Sequence, residues 1–424
     1  MRVHRHTAAL LTGVVAVIVA VALFLPCQAR AASYDSPVFY TSAPAGWQHD
    51  AVGTLLKYQY LPHTWPCLHG LRAYRIMYVS RGATDGFSHG GRVYETGMVY
   101  IPASADVPEG GWPIVAWGHG TSGVGPSAAP SRYPWLYPEP LKWAWDEYAV
   151  FVGEVGRLGA IVTCPDYEGL GTYGSLSTYW NINAMGRSMI DAVRAARHLA
   201  LVLGVPASTS WAATGHSQGV GAAIGAAQLA TTYGKGLRLR ATVGFAPGSG
   251  VAHALTSIYT DPNWYPYLGY MAWGMKAIDT HHQFTFADLL GPWILPHING
   301  ARHLYFDYWW QLLQSAHWSG SYPNGTPLTP TVADVLAPGW QNNPVVKRWL
   351  RDRTIGLRRA VRPVLVVQGT ADTLYPNFPE LKAQLKHAGD RVKYVLLAGR
   401  DHDQAVPYGW PAAKAFLERY LFGR

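Results

Sequence analysis

Charged residues are scarce in this sequence. They make up 14% of its 424 residues, against 49% for hydrophobic ones, whereas about a quarter of an average globular protein is charged. A disordered chain shows the opposite balance, so that class is excluded. Aromatic residues are plentiful instead, with 18 Trp and 26 Tyr. This favours a protein that works beside apolar material, although a large aromatic core gives the same composition.

Cysteine is nearly absent, and the glycines follow no period. Three Cys exclude a disulfide-knot protein, and 45 Gly without a fixed repeat exclude a collagen. Cys67 and Cys164 lie in the body of the chain. A disulfide between them is plausible after export to an oxidising compartment, and two buried thiols are the alternative.

Long apolar runs are also lacking, except at the start of the chain. Residues 1–31 combine a basic beginning, an apolar run over Ala8–Leu25, a helix-breaking Pro26 and small residues up to Ala31. This order predicts a secretory signal peptide cleaved after Ala31, and so a secreted or cell-envelope protein. An uncleaved anchor is the alternative, because the run is just long enough to span a bilayer.

Strand-like and helix-like stretches alternate along most of the remaining chain, which predicts a mostly parallel sheet with helices on both faces. Residues 33–68 are expected to be irregular, and Leu71–Arg81 and Arg92–Pro102 to form an antiparallel pair. Helices are expected over Arg187–Leu203 and Trp410–Phe422. The alternation stops for about a hundred residues that are rich in aromatics and prolines. The expected organisation is a signal peptide over 1–31, a core over 32–252, a mainly helical cap over 253–360 and the rest of the core over 361–424.

The sharpest motif is G-x-S-x-G at residues 215–219, between a strand-like and a helix-like stretch. A sharp strand-to-helix turn presents a serine hydroxyl for attack on a carbonyl, and the flanking glycines let two backbones pass closely. The motif predicts Ser217 as a nucleophile.

A nucleophilic serine needs a base and an orienting acid, which in this architecture follow it in the order acid, then histidine. Asp372 and His402 each lie just beyond the end of a predicted strand, so we expect them to meet Ser217 at one sheet edge. The alternatives are a turn-forming aspartate and a surface histidine. The neighbouring Asp401 and Asp403 are expected to act indirectly or to face solvent.

An oxyanion hole needs two backbone N–H groups. We expect one from Gln218, which follows the nucleophile, and one from Thr121, in the loop after strand-like Trp112–Trp117. A tight turn without this function is the alternative for the glycines of that loop. The residues expected to shape the pocket are His119, Gly120, Asp166 and Tyr167.

Other function classes find little support. No nucleotide-binding glycine motif is present, and the histidine pairs lack metal-ligand spacing, so neither a cofactor nor a metal is expected. No nucleic-acid module is recognisable. One basic cluster, Lys347–Arg359, fits either an anionic partner or a solvated helix face.

Five motifs together resemble the secretory lipases of the LIP family, the fungal lipase A type with actinobacterial relatives. They are HGTSG at 119–123, PDYEGLG at 165–171, GHSQG at 215–219, QGTADTLYP at 368–376 and GRDHD at 399–403. The resemblance runs from about residue 70 to the end. It implies an α/β-hydrolase fold, the triad Ser217, Asp372 and His402, and a lid over 253–360 covering an acyl tunnel.

The expected function is therefore a secreted serine ester hydrolase, a lipase acting on triacylglycerols or simpler esters, with a lipid–water interface as a possible partner. A serine peptidase or acyltransferase on the same scaffold is one alternative. A non-catalytic lipid or cell-wall binder is another. The sequence leaves acyl length and oligomeric state open.

Overall fold

The chain is described here by a computed structural model. It describes residues 37–62, 66–104, 106–132, 142–248, 265–303, 331–351 and 358–424, with Leu255, Trp309, Leu313, Arg353 and Ile355. The expected signal peptide, and much of the expected cap, lie outside these residues. Among the described helices, none has the length and apolar character to cross a membrane.

Nine strands form one sheet. They are β1 (Leu55–Leu61), β2 (Leu71–Arg81), β3 (Arg92–Pro102), β4 (Trp112–Gly118), β5 (Ile161–Pro165), β6 (Ala207–His216), β7 (Arg238–Phe245), β8 (Val364–Gly369) and β9 (Val392–Leu397), in the spatial order β1-β2-β3-β5-β4-β6-β7-β8-β9. Pairing is antiparallel from β1 to β5 and parallel from β5 through β9. The expected α/β class, including the antiparallel pair β2–β3, is confirmed.

Helices connect the strands and cover both faces of the sheet. The described helices are α1 (Pro37–Thr41), α2 (Lys142–Arg157), α3 (Ile182–Val202), α4 (Gln218–Leu229), α5 (Tyr265–Ile278), α6 (Ile298–His303), α7 (Val332–Val335), α8 (Pro344–Arg351), α9 (Phe378–His387) and α10 (Ala405–Leu417). On one face α3 and α4 bury apolar side chains in a large core, and on the other α2 and α10 form a second core. This sandwich fixes the strand ends that carry the candidate site.

Short helical turns complete the described backbone. They are the 3₁₀ turns Trp47–His49, Pro66–Leu68, Pro126–Ala128, Pro130–Arg132, Phe286–Asp288, Leu295–His297, Trp340–Asn342 and Tyr375–Asn377, and the π turn Glu418–Phe422.

The structure corrects three expected boundaries. Strand β1 lies within the segment expected to be irregular; it is an edge strand with mostly half-exposed residues, so its sequence lacks a clear buried face. Helix α3 begins five residues earlier than its periodicity suggested, where the Asn181 side chain accepts a hydrogen bond from the Ala184 backbone amide at 2.9 Å. Helix α10 begins at Ala405 instead of Trp410, because Pro407 falls in its first turn, where proline is tolerated.

Much of the aromatic content lies in the core. Trp211, Trp309 and Trp349 are among the largest fully buried side chains. Cys67 and Cys164 are not joined in a disulfide; Cys164 is buried and Cys67 is partly buried. Of the two alternatives for these cysteines, the structure has the pair of thiols.

Candidate active site

A strained turn between β6 and α4 presents the Ser217 side chain. Its backbone has φ 54° and ψ −117°, a conformation that costs a residue with a side chain about 1–3 kcal/mol. The turn is held from both sides. The Ser217 amide donates to the Phe245 carbonyl at 3.0 Å, and the Ser217 carbonyl accepts from the Gly248 amide at 3.1 Å. The structure therefore maintains a conformation that an unsupported turn would relax.

The two flanking glycines are required by close backbone contacts. A Cβ atom on Gly215 would lie 2.2 Å from the Gly219 carbonyl oxygen, and one on Gly219 would lie 2.0 Å from the Gly118 carbonyl oxygen. Both distances are far below van der Waals contact, so β4, β6 and the start of α4 can approach only with glycine at these positions. This packing brings the loop after β4 beside Ser217.

An acid and a histidine meet at the same edge of the sheet. Asp372 follows β8, His402 follows β9, and His402 Nδ1 donates to Asp372 Oδ2 at 2.8 Å. The carboxylate also accepts from Gln368 Nε2 at 2.7 Å and from the Leu374 amide at 2.8 Å. Three donors from different positions thus fix the carboxylate. The carboxylate in turn holds the Nδ1 edge of the imidazole.

Each member of this pair favours the charged form of the other. Burial alone would raise the pKa of Asp372, but the hydrogen bond and positive charge of His402, with the other two donors, hold it below its ordinary value. Burial alone would lower the pKa of His402, but the bond to Asp372 and the nearby carboxylates raise it. The His402 side chain stays 26% exposed, so its free edge is open to a ligand.

Sequence reasoning missed His216 as a neighbour of His402. His216 Nε2 donates to the His402 carbonyl at 3.1 Å, and the two rings lie 4.8 Å apart. Burial, followed by the charge of His402, lowers the pKa of His216 to about 3, so this ring is neutral at physiological pH. No pattern in the sequence could link a residue of the serine turn to a loop 186 positions later.

Asp403 is a second neighbour of His402, for which the sequence left open an indirect role or a position facing solvent. Its Oδ1 is buried and has no hydrogen-bond partner, and burial raises its pKa to about 6. By contrast, Asp401 is exposed and its Oδ1 accepts from the Gln404 amide at 2.8 Å. The two aspartates beside His402, treated alike in the sequence, therefore differ: Asp403 is partly buried beside the imidazole, and Asp401 faces solvent.

The side chains of His216, His402 and Asp403 lie close enough together to be considered as metal ligands. Within the described part of the chain, His216, His402 and Asp403 form the one group whose potential ligand atoms lie close enough, within 4.8 Å of one another. One nitrogen of each ring is already hydrogen-bonded. A metal here would have to use the other nitrogen of His402, which is the atom that a base needs.

The loop after β4 contacts the serine turn through side chains and backbone. A Cβ on Gly120 would lie 3.5 Å from Ser217 Cβ. The Thr121 hydroxyl donates to Gln218 Oε1 at 3.1 Å and lies 3.0 Å from the Tyr179 hydroxyl, from which it therefore accepts. Thr121 is thus clamped between the first residue of α4 and the buried Tyr179.

The segment after β5 contacts and supports the loop that follows β4. The Tyr167 hydroxyl donates to the His119 carbonyl at 3.1 Å, and the two rings stack 4.4 Å apart. The Asp166 carboxylate is buried and accepts from Thr96 Oγ1 at 2.6 Å and from the Ser131 amide at 2.9 Å. Of the residues expected to shape the pocket, Tyr167 touches the loop directly, whereas the Asp166 side chain anchors the segment that carries Tyr167.

Comparisons with known proteins agree with the resemblance seen in the motifs. The model of the secretory lipase family matches residues 147–292, a stretch that contains the serine turn. The resemblance to secretory lipases is confirmed over this stretch. No curated protein sequence matches the chain.

Solved structures share the fold. Lipase A from Candida antarctica, in its closed state, superimposes with a TM-score of 0.70 at 16% identity, covering 93% of this chain and 88% of that one. The rice cell wall degrading esterase LipA from Xanthomonas oryzae gives 0.65 at 16% identity, covering 88% and 99%. These similarities establish the α/β-hydrolase fold.

Proposed function

We propose that this chain, a carboxylic ester hydrolase of the lipase and esterase type, cleaves acyl esters through a covalent acyl-enzyme on Ser217. The observation that carries the proposal is the meeting of three elements at one sheet edge. A strained turn presents the serine, the preceding His216 donates to the His402 carbonyl at 3.1 Å, and His402 donates to Asp372 at 2.8 Å.

His402 acts as the general base. With Nδ1 donating to Asp372, its Nε2 carries the lone pair that accepts the Ser217 proton, and the imidazolium then formed is stabilised by the carboxylate. Ser217 Oγ attacks the ester carbonyl, and the tetrahedral intermediate collapses as the imidazolium protonates the departing alcohol. Water, activated by the same imidazole, then releases the acid and restores the serine.

Backbone amides stabilise the negative oxygen of the intermediate. We assign this role to the N–H groups of Gln218 and Thr121. Gln218 is the first residue of α4, so its amide points from a helix N-terminus, where the dipole favours negative charge. The hydroxyl bond from Thr121 to the Gln218 side chain keeps the two donors in one arrangement.

The substrate class follows from the insertion between β7 and β8. The described parts of 253–360 are helical and rich in aromatics, among them Tyr270, Trp273 and Phe286. An aromatic cap suits a long acyl chain, so we assign acylglycerols or related lipid esters as substrates. The secretory character of the matched family supports an enzyme that acts outside the cell.

Substitution and labelling test this assignment. Ser217→Ala should lower ester turnover by about 10⁶ and abolish labelling by a fluorophosphonate, because removal of a triad nucleophile has that effect in comparable enzymes. The matched control is Ser104→Ala, which changes an exposed serine outside the site. Activity of Ser217→Ala within tenfold of the unchanged protein would end the proposal.

A series of p-nitrophenyl esters of increasing chain length sharpens the substrate class. We expect kcat/KM to rise with chain length, and activity to rise further above the solubility limit of the substrate. Faster cleavage of an aminoacyl amide than of any ester would identify a peptidase instead.

A further inference from the structure

A strongly basic cavity lies at the opposite edge of the sheet from the candidate active site. It has a volume of about 350 Å³ at the start of β7 and β8. Four arginines line it: Arg240, Arg359, Arg362 and Arg391. The rest of the lining is Ala360, Val361, Pro363 and Tyr420, so none of its lining residues is acidic.

A second recess continues the cavity on its other side. It has a volume of about 500 Å³, shares Pro363, Arg391 and Tyr420 with the first, and adds Lys393 and Arg419. No acidic residue lines this recess either. Six cationic side chains from four separate stretches of the chain thus line two adjoining recesses, which together are called the basic depression.

These cations are largely unpaired within the described residues. Arg362 and Arg391 have no carboxylate within salt-bridge distance there, and Arg240 donates only to the Tyr420 carbonyl, at 3.4 Å. Asp390 interacts electrostatically with Arg359, and its Oδ1 accepts from the Ala360 amide at 2.5 Å, so it supports the cavity wall. Clustered cations repel one another, and an anionic ligand would relieve that repulsion.

The arginines of the basic cluster Lys347–Arg359 have different roles in the structure. Arg353 is buried and pairs with Asp85 at 3.1 Å, and Arg348 donates to the Ile278 carbonyl, so both hold the fold together. Arg359, at the end of the cluster, lines the cavity.

We propose that this depression binds a ligand carrying several phosphate groups. Guanidinium groups donate paired N–H bonds that match phosphate oxygens, and a ring of them favours a multiply charged anion over a single carboxylate. The volume lies in the range of small-molecule sites.

The position of the site favours a free or polymeric phosphate over a lipid surface. Strand β8 has six residues, so about 20 Å separate its two ends. A membrane bound at the amino end would leave the candidate active site at the other end facing away from the lipid. A soluble polyphosphate can occupy the depression without that conflict.

Titration with tripolyphosphate at fixed ionic strength tests the proposal on the full chain. The test variant is Arg362→Gln with Arg391→Gln, and the control is Arg92→Gln with Lys347→Gln. The control also removes two exposed cations, one of them from the same basic cluster. We expect at least a tenfold weaker Kd for the test variant and a change within twofold for the control.

Three results would overturn the proposal. One is no binding of tripolyphosphate at millimolar concentration, and another is equal weakening in both variants, which would indicate general charge attraction. The third is binding to phosphatidylglycerol vesicles that tripolyphosphate does not compete away. Ester hydrolysis within twofold of the unchanged protein shows that the test variant is folded.

Discussion

The two edges of the sheet treat their polar groups in opposite ways. At the carboxyl edge, Asp372 accepts three hydrogen bonds and His402 is bonded to it. At the amino edge, Arg362 and Arg391 face a cavity without a carboxylate partner among the described residues. At the carboxyl edge the polar groups are hydrogen-bonded to one another, and at the amino edge the arginines are accessible to a ligand.

This difference reflects what each edge requires. Catalysis depends on groups that are oriented before the substrate arrives, since reorientation during the reaction adds to the barrier. Binding of an exchangeable anion depends on donors that are still free to bond with it. Variants at the two edges should therefore separate: those at the carboxyl edge should change turnover, and those at the amino edge should change anion affinity.

Among the variants that keep the serine nucleophile, the largest effect should come from Asp372→Asn. An amide in place of the carboxylate permits the wrong imidazole tautomer and removes the charge that stabilises the imidazolium, so kcat should fall by about 10⁴. Steady-state kinetics on a soluble ester measure this. Asp106→Asn, an exposed aspartate, is the control. A loss in kcat below tenfold would mean that Asp372 does not orient the base. The affinity for tripolyphosphate should be the same in Asp372→Asn as in the unchanged protein.

A smaller effect is expected from Thr121→Val, which keeps the shape of the side chain but removes its hydroxyl. The bonds to Gln218 and Tyr179 are then lost. Removal of a direct oxyanion donor costs about 10²–10³ in kcat, and loss of a group that only positions one should cost less, about tenfold. The loss should fall on kcat with KM nearly unchanged. A rise in KM at constant kcat would assign Thr121 to ground-state binding.

Tyr167→Phe should have a still smaller effect. It removes the bond to the His119 carbonyl and leaves the stacked rings in place. A typical hydrogen bond contributes about 1 kcal/mol, so we expect a decrease in kcat of about fivefold at most. Tyr173→Phe, at an exposed tyrosine of the following loop, is the matched control. Equal kinetics in both variants would show that the loop needs no support from Tyr167.

The sequence allowed most strands, most helices and the proximity of Asp372 and His402 to be predicted. Chain order and the strand rhythm place both residues at the same sheet edge, and a buried strand ends where its apolar run ends. Strand β1 escaped prediction because an edge strand needs no buried face. The contact of His216 with His402 and the arginine cavity escaped it because they join side chains from distant parts of the chain, which only the packing of β6, β7, β8 and β9 brings together.

The pH dependence of ester hydrolysis compares the titratable groups at the carboxyl edge with one another. Only neutral His402 can accept the serine proton, and its pKa is raised above the ordinary value, chiefly by Asp372 acting against burial. Activity should therefore rise with pH through an apparent pKa above about 6.5. His216 cannot produce this step, because its pKa of about 3 keeps it neutral throughout.

Asp403→Asn should shift this step to lower pH, because the negative charge of Asp403 helps to raise the pKa of His402. Asp403 itself has a pKa of about 6, so the two groups titrate as a coupled pair and the unchanged protein should show a broadened acid limb. The variant should show a single step and higher relative activity at acidic pH, with no change on the alkaline plateau. Asp401→Asn, exposed and screened by solvent, should shift the step less. A larger shift for Asp401→Asn would show that the exposed carboxylate of Asp401, and not the partly buried carboxylate of Asp403, is the main negative charge that raises the pKa of His402.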